Sequence, residues 1–201
     1  SANFDTADLA DAFLSNADNL GATCDPDIAA WLLREQVPYL AEVCTRTVND
    51  RKGGHLARRR SDGRIVLRDN AMVVPGEEPF FADETRHSTF HANNLWVDLD
   101  VVARMLDERA GVLGLPIIVN RKTVDPTDKS STKVIQIECA MGTAIEAIDG
   151  SRAMHVPRSR FRPEDYARLA VTNTALTNAL GASGFGGADH ALALLGPPQR
   201  R

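Results

Sequence analysis

Long apolar runs are missing from this chain. None of its hydrophobic stretches approaches the roughly 20 residues that a bilayer-spanning helix needs. Positive charge is not in excess either: 23 Lys and Arg stand against 27 Asp and Glu, a formal net charge of -4. That balance argues against the broad basic surface used to hold nucleic acid. Cysteine is scarce, and Cys24, Cys44 and Cys139 form an odd, scattered set without metal-ligand spacing. Each lies in or beside an apolar segment, so buried, reduced thiols in a cytoplasmic protein are expected. The opening Ser1-Ala2-Asn3-Phe4-Asp5 has neither the basic nor the apolar region of a secretory signal. It also lacks an initiator Met, which reads as a fragment or a processed chain.

What is present is an ordinary globular balance, 43% hydrophobic and 25% charged over 201 residues, enough for one domain with a sizeable core. Asp11-Ala12-Phe13-Leu14 reads as a strand. Asp25-Pro26 opens a helix in which Ile28, Trp31, Leu32 and Glu35 recur at helical spacing. Residues 38–45 read as the next strand, giving a β–α–β unit and favouring a parallel sheet. Segments 55–59 and 64–68 flank Ser61-Asp62-Gly63, a hairpin signal because Asp-Gly tolerates the positive φ of a tight turn.

Val101, Val102, Met105 and Leu106 mark a helix ending near Gly111. Segments 116–119 and 133–137 are strand candidates around a polar loop, 141–148 is a helix stopped by Gly150, and 152–156 is a last strand. The alternation predicts an α/β sandwich with an inserted hairpin. Trp31 and Trp96 read as core residues, and His55, His87 and His155, which lack metal spacing, as surface or packing residues. Beyond Pro163 the texture changes: between 172 and 198 the one charged residue is Asp189, and a short Ala/Leu helix around 188–195 is conceivable.

The most telling stretch follows the first strand. Ser15-Asn16-Ala17-Asp18-Asn19-Leu20-Gly21 puts a carboxylate between two asparagines at the carboxyl edge of a strand, where open α/β sheets bind ligands. A lone Asp there suits a hard cation that takes its other ligands from phosphate and water. An Asx-rich turn is the plainer reading of the same residues.

Five further segments follow in order: Asp50-Arg51-Lys52-Gly53-Gly54-His55-Leu56, Phe90-His91-Ala92-Asn93-Asn94-Leu95-Trp96, Ile117-Ile118-Val119-Asn120-Arg121-Lys122-Thr123, Val134-Ile135-Gln136-Ile137-Glu138-Cys139-Ala140-Met141-Gly142-Thr143-Ala144-Ile145, and Val156-Pro157-Arg158-Ser159-Arg160-Phe161. With the opening motif they resemble the eukaryotic-type UTP–glucose-1-phosphate uridylyltransferase (UDP-glucose pyrophosphorylase) family, from about Phe13 to Pro163. The resemblance implies a Rossmann-like nucleotidyltransferase sandwich of GT-A type, with a mixed, mainly parallel sheet. Residues 1–163 would be the later part of its catalytic domain and 164–201 a divergent tail.

It implies uridylyl transfer from UTP to glucose 1-phosphate, giving UDP-glucose and pyrophosphate, with Mg²⁺ as cofactor. Asp18 would be the catalytic residue that engages metal and nucleotide, with Asn16 beside it. Lys52, Gly53, Gly54, Asp69, Asn93, Asn94 and Glu138 would hold the substrate. Asn19 reads as a brace, Glu138 alternatively as a helix-end charge, and Lys52 to Gly54 alternatively as a plain turn. Arg158 and Arg160 are placed either for phosphate or for acidic neighbours.

Departures from the family pattern qualify these roles. His91-Ala92 replaces Asn-Thr, and Asp69 replaces a Glu, so sugar specificity could differ: another sugar 1-phosphate, or an inactive nucleotide-binding homologue, stays open. No glycine-rich phosphate loop precedes Asp18. The family continues Arg-Phe-x-Pro with Val-Lys-Thr-Thr, whereas this chain has Glu164-Asp165-Tyr166, reversing the charge beside a polyanion. Little activity is therefore expected of this chain alone. A reading-frame slip would account for the change, because GAA-GAC-TAC followed by an alanine codon reads Lys-Thr-Thr one base on.

Overall fold

A computed structural model describes residues 11–51, 53–166, 168, 169 and 171. The divergent stretch 172–201, with the helix expected around 188–195, lies outside the described residues. The fold is mixed α/β. Its centre is a four-stranded sheet of β1 (Asp11–Leu14), β2 (Tyr39–Thr45), β5 (Thr89–Asp98) and β8 (Arg152–His155), in the order β1-β5-β2-β8. Two ribbons complete the strands, β3 (His55–Arg58) with β4 (Ile65–Arg68), and β6 (Ile117–Thr123) with β7 (Lys133–Cys139).

The β–α–β reading needs a correction. β1 and β2 do point the same way, but β5 lies between them and pairs antiparallel with both; only β2 and β8 form a parallel ladder. The sheet is therefore mixed, with its directly bonded neighbours mostly antiparallel. β5, internal to the sheet like β2, gives no strand signal in the sequence, because His91, Asn93 and Asn94 interrupt its apolar pattern. It also departs from regular pairing: Ala41 faces Leu95 while Val43 faces His91, so two steps on β2 oppose four on β5. Asn93 sits in this bulge at φ 54°. Bulges of this kind re-aim side chains near functional sites.

Both faces of β2 are covered, as period-2 alternation requires. Tyr39 and Ala41 pack with Leu95, Val97, Leu67, Ile145 and Ile148, under the β3–β4 hairpin and α4 (Ala144–Ala147). Leu40 packs on the opposite face with Trp96, Ile28, Leu32 and Val156, under α1 (Pro26–Glu35). That helix begins where expected: Asp25 caps it by accepting from the Asp27 N–H at 2.9 Å, with Pro26 in the first turn. The hairpin turns at Gly63, φ 74°, and α3 (Leu99–Glu108) ends three residues before Gly111.

The β6–β7 ribbon is longer than its sequence suggested and stands clear of the sheet. One of its faces carries exposed Ile117, Val119, Ile135 and Ile137. Among the cysteines only Cys44 is buried; Cys24, in the loop before α1, and Cys139, at the ribbon's end, are exposed, against expectation. No helix among the described residues is long and apolar enough to cross a membrane.

Candidate functional site

The loop after β1 is fixed by a buried polar hub around the β5 bulge. Asn94 is 0% exposed, and its amide is saturated: Oδ1 accepts from Ser15 Oγ at 2.7 Å and Asn19 Nδ2 at 3.0 Å. Its Nδ2 donates to Glu42 Oε2 at 2.9 Å and to the Arg160 carbonyl at 3.3 Å. Glu42 is equally buried and accepts from Trp96 Nε1 at 2.9 Å and from Arg160 Nη2 at 2.6 Å and Nε at 2.8 Å. The Arg160 guanidinium reaches on to the Thr23 carbonyl at 2.8 Å. Asn19 closes the network, accepting the N–H groups of Gly21 at 3.2 Å and Arg162 at 2.8 Å. Burial of a charge is tolerable only with such pairing.

A second internal cation shapes the 46–54 loop. Arg46 donates to the carbonyls of Phe81, Asp50, Arg51 and Gly53, and lies 3.2 Å from His55 Nδ1. Gly53 is required by this packing, since a β-carbon there would fall 1.9 Å from the Phe90 ring. His55 stacks on His87 with ring centroids 3.9 Å apart, and burial and these cations push its pKa down to about 3. Arg158 grips Asp50 in a fork, 2.8 and 3.0 Å, with the Phe161 ring 5.0 Å from its guanidinium. Burial pushes the Asp50 carboxyl up, but its bonds from Arg158 and Thr47 outweigh this and hold it below the usual carboxylate value.

Between these braces opens a cleft of about 420 Å³. Asn16, Gly54, Asp69, His91, Asn93 and Gly142 are among its walls. Asn93 Nδ2 donates to Asn16 Oδ1 at 2.7 Å, tying the β1 loop to the bulge. Asp69 uses one oxygen to cap a 3₁₀ turn through the Ala71 N–H. His91 is 7% exposed, and burial pushes its pKa down to about 4, with Asp69 opposing the shift. Its Nε2 is buried without a hydrogen-bond partner among the described residues. An unmade bond of that kind costs about 1–3 kcal/mol. A larger hollow of about 720 Å³, between the β3–β4 hairpin and the α4–β8 segment, contains none of the residues expected at the site.

The structure thus brings Asn16, Gly54, Asp69 and Asn93 together on one cleft. Asp18 is exposed two residues past Asn16 and is not among the residues lining the cleft. Lys52 lies outside the described residues. Asn94, expected beside the substrate, has every donor and acceptor of its amide engaged within the protein. Glu138 lies outside the cleft lining, on the polar face of the β6–β7 ribbon, where Asn120 and Gln136 bond its carboxylate. Arg158 and Arg160 take the acidic-neighbour alternative, on Asp50 and Glu42. Asn19 braces, as read. Glu42 and Arg46 were missed, although a lone Glu inside Tyr39-Leu40-Ala41-Glu42-Val43-Cys44 was itself a signal that a buried partner must exist; His91 stood out in the sequence only as a departure bearing on sugar specificity.

The mixed α/β sheet thus borders a small polar cleft of amides, a carboxylate and glycine backbone, a set that offers both hydrogen-bond donors and acceptors. The chain belongs to the UTP–glucose-1-phosphate uridylyltransferase family, which it matches over residues 9–171. It is 38% identical to the enzyme of that name from Musa acuminata over 151 residues, 75% of this chain and 30% of that one. To the Saccharomyces cerevisiae protein it is 37% identical, over 75% and 29% of the two chains.

Among solved structures, UDP-glucose phosphorylase from Trypanosoma brucei superposes with TM-score 0.75 at 45% identity, covering 78% of this chain and 34% of the other. A point mutant of Leishmania major UDP-glucose pyrophosphorylase in complex with UDP-glucose gives 0.71 at 42% identity, covering 77% and 34%. The chain therefore spans about a third of the length of these relatives.

Proposed function

We propose that this chain carries the sugar-facing part of a uridylyltransferase that makes UDP-glucose and pyrophosphate from UTP and glucose 1-phosphate. We also assign it the Rossmann-like GT-A arrangement of a nucleotidyltransferase domain, and a cytoplasmic setting in keeping with its free thiols. The observation that carries the reading is the convergence of Asn16, Gly54, Asp69 and Asn93 on one cleft, in a chain 42% identical to a protein solved with UDP-glucose.

In the reaction a phosphate oxygen of glucose 1-phosphate attacks the α-phosphorus of UTP, and the bond to the leaving pyrophosphate breaks. The protein contributes alignment and charge compensation, with no covalent intermediate. Carboxamides and a carboxylate suit sugar hydroxyls, and the braced Gly53-Gly54 backbone suits close approach of the ligand.

Mg²⁺ fits the residues present in one way. No group of three or more His, Cys, Asp or Glu converges among the described residues, so a protein cage for a metal is not built here. An exposed single carboxylate, Asp18, matches an ion held mainly by phosphate and water. Bound there, Mg²⁺ would neutralise phosphate charge. Asp165, where the family has lysine, is engaged with Arg162 at 2.6 Å, and the isolated chain is expected to turn over little or nothing.

Calorimetric or NMR titration with UDP-glucose tests the reading. Saturable binding is expected, weakened roughly tenfold by Asp69→Ala or Asn93→Ala, the loss of one charged or bidentate contact. Mg²⁺ should tighten it in the parent chain and not in Asp18→Ala. Equal affinity in all variants would overturn the assignment.

A further inference from the structure

We propose that His91 is a specificity-determining contact of this cleft, offering its Nε2 to a hydroxyl of the bound sugar. The inference rests on the reading of the cleft as a sugar site. Its starting point is a polar atom with no structural employment. The His91 backbone N–H is committed to the Gly54 carbonyl at 2.9 Å, which fixes the residue to the cleft wall. The ring is buried among the cleft residues, yet Nε2 bonds to nothing among the described residues. Buried polar atoms are rarely left so, and one beside a cleft invites explanation by a ligand. A phenyl ring would fill the same space with no polar atom to satisfy.

The opposite wall makes room for this ring. Gly142 has no side chain where a β-carbon would lie 2.8 Å from His91 Cε1 and 3.2 Å from Nε2. The 3₁₀ turn Met141–Thr143 therefore lies closely over the imidazole. The chemistry of the surroundings selects the ligand class. A neutral imidazole beside the Asp69 carboxylate presents no positive charge to a phosphate, and Asp69 would repel one. Imidazole, carboxylate and the Asn93 amide together present both donors and acceptors, the complement of a polyol.

The test compares the parent chain with His91→Phe, using UDP-glucose and UDP as probes, the second lacking the sugar and ending in a free β-phosphate. The variant should melt at the same or a higher temperature, because an unpaired nitrogen is removed. It should bind UDP-glucose about tenfold more weakly and UDP unchanged. In the parent, the ¹⁵Nε2 resonance of His91 should move on addition of UDP-glucose and stay in place with UDP.

If His91→Phe folds and binds UDP-glucose as the parent does, His91 is only packing and the inference fails while the cleft reading stands. If the parent itself does not distinguish UDP-glucose from UDP, the cleft reading fails and takes the inference with it. Should the variant not fold, the ¹⁵N response of the parent decides: a resonance unmoved by UDP-glucose overturns the proposal.

Discussion

Replacing Glu42 by Gln probes the hub that holds the β1 loop against the bulge. Glu42 is 0% exposed and accepts four hydrogen bonds, from Trp96, from Asn94 and twice from Arg160. Glutamine has one oxygen. Placed at Oε1 it keeps the Trp96 indole and Arg160 Nη2, but its NH₂ then confronts two donors, Asn94 Nδ2 and Arg160 Nε. The guanidinium also loses its closest carboxylate.

Removing one partner of a buried ion pair costs about 3–5 kcal/mol. The lower end applies here, because Arg160 keeps the Thr23 carbonyl and Asp25 lies 3.7 Å away. At about 2–4 °C per kcal/mol for a domain of this size, Tm should fall by roughly 6–12 °C. Arg160→Met should cost a similar amount, and Glu42→Leu combined with Arg160→Met should recover part of the loss, since no charge is then stranded. Calorimetry reads all of these; a fall below about 2 °C for Glu42→Gln would refute the reasoning.

Asn19→Ala strands the N–H groups of Gly21 and Arg162 and should cost about 2 kcal/mol, read as a lower urea midpoint with unchanged slope. The Asp50 carboxyl, held below its usual pKa, contributes stability that is complete above the unfolded value of about 3.9 and is lost as pH falls through the lower folded value. Asp50→Asn should therefore be less stable than the parent near neutrality and lose less on acidification. His55, pushed down to about 3, favours the fold fully above the unfolded pKa of about 6.5, and that contribution drains away between there and about 3. NMR titration should find its ring still neutral at about pH 5; a midpoint near the unperturbed value would contradict the burial argument.

Local chemistry was enough to write much of this molecule from its residues. Asp25-Pro26 set the start of α1, Asp62-Gly63 set the hairpin, and the Asn-rich turn after β1 lies where a strand ends. These are short-range matters, decided by φ preferences, caps and the period of apolar residues. Strand order is not short-range: β5 became an internal strand although its polar middle broke the alternation, because its asparagines found partners on the β1 loop and on β2.

The same holds for the site. Asn93 and Asn94 are adjacent in the chain, yet a positive φ and the bulge turn one to the cleft and the other into the hub. Arg160 and Glu42 meet across 118 positions, and Arg158 and Asp50 across 108, so residue type alone left both arginines equally suited to phosphate. Which charges are spent internally and which remain for a ligand is set by distances that only the folded chain creates.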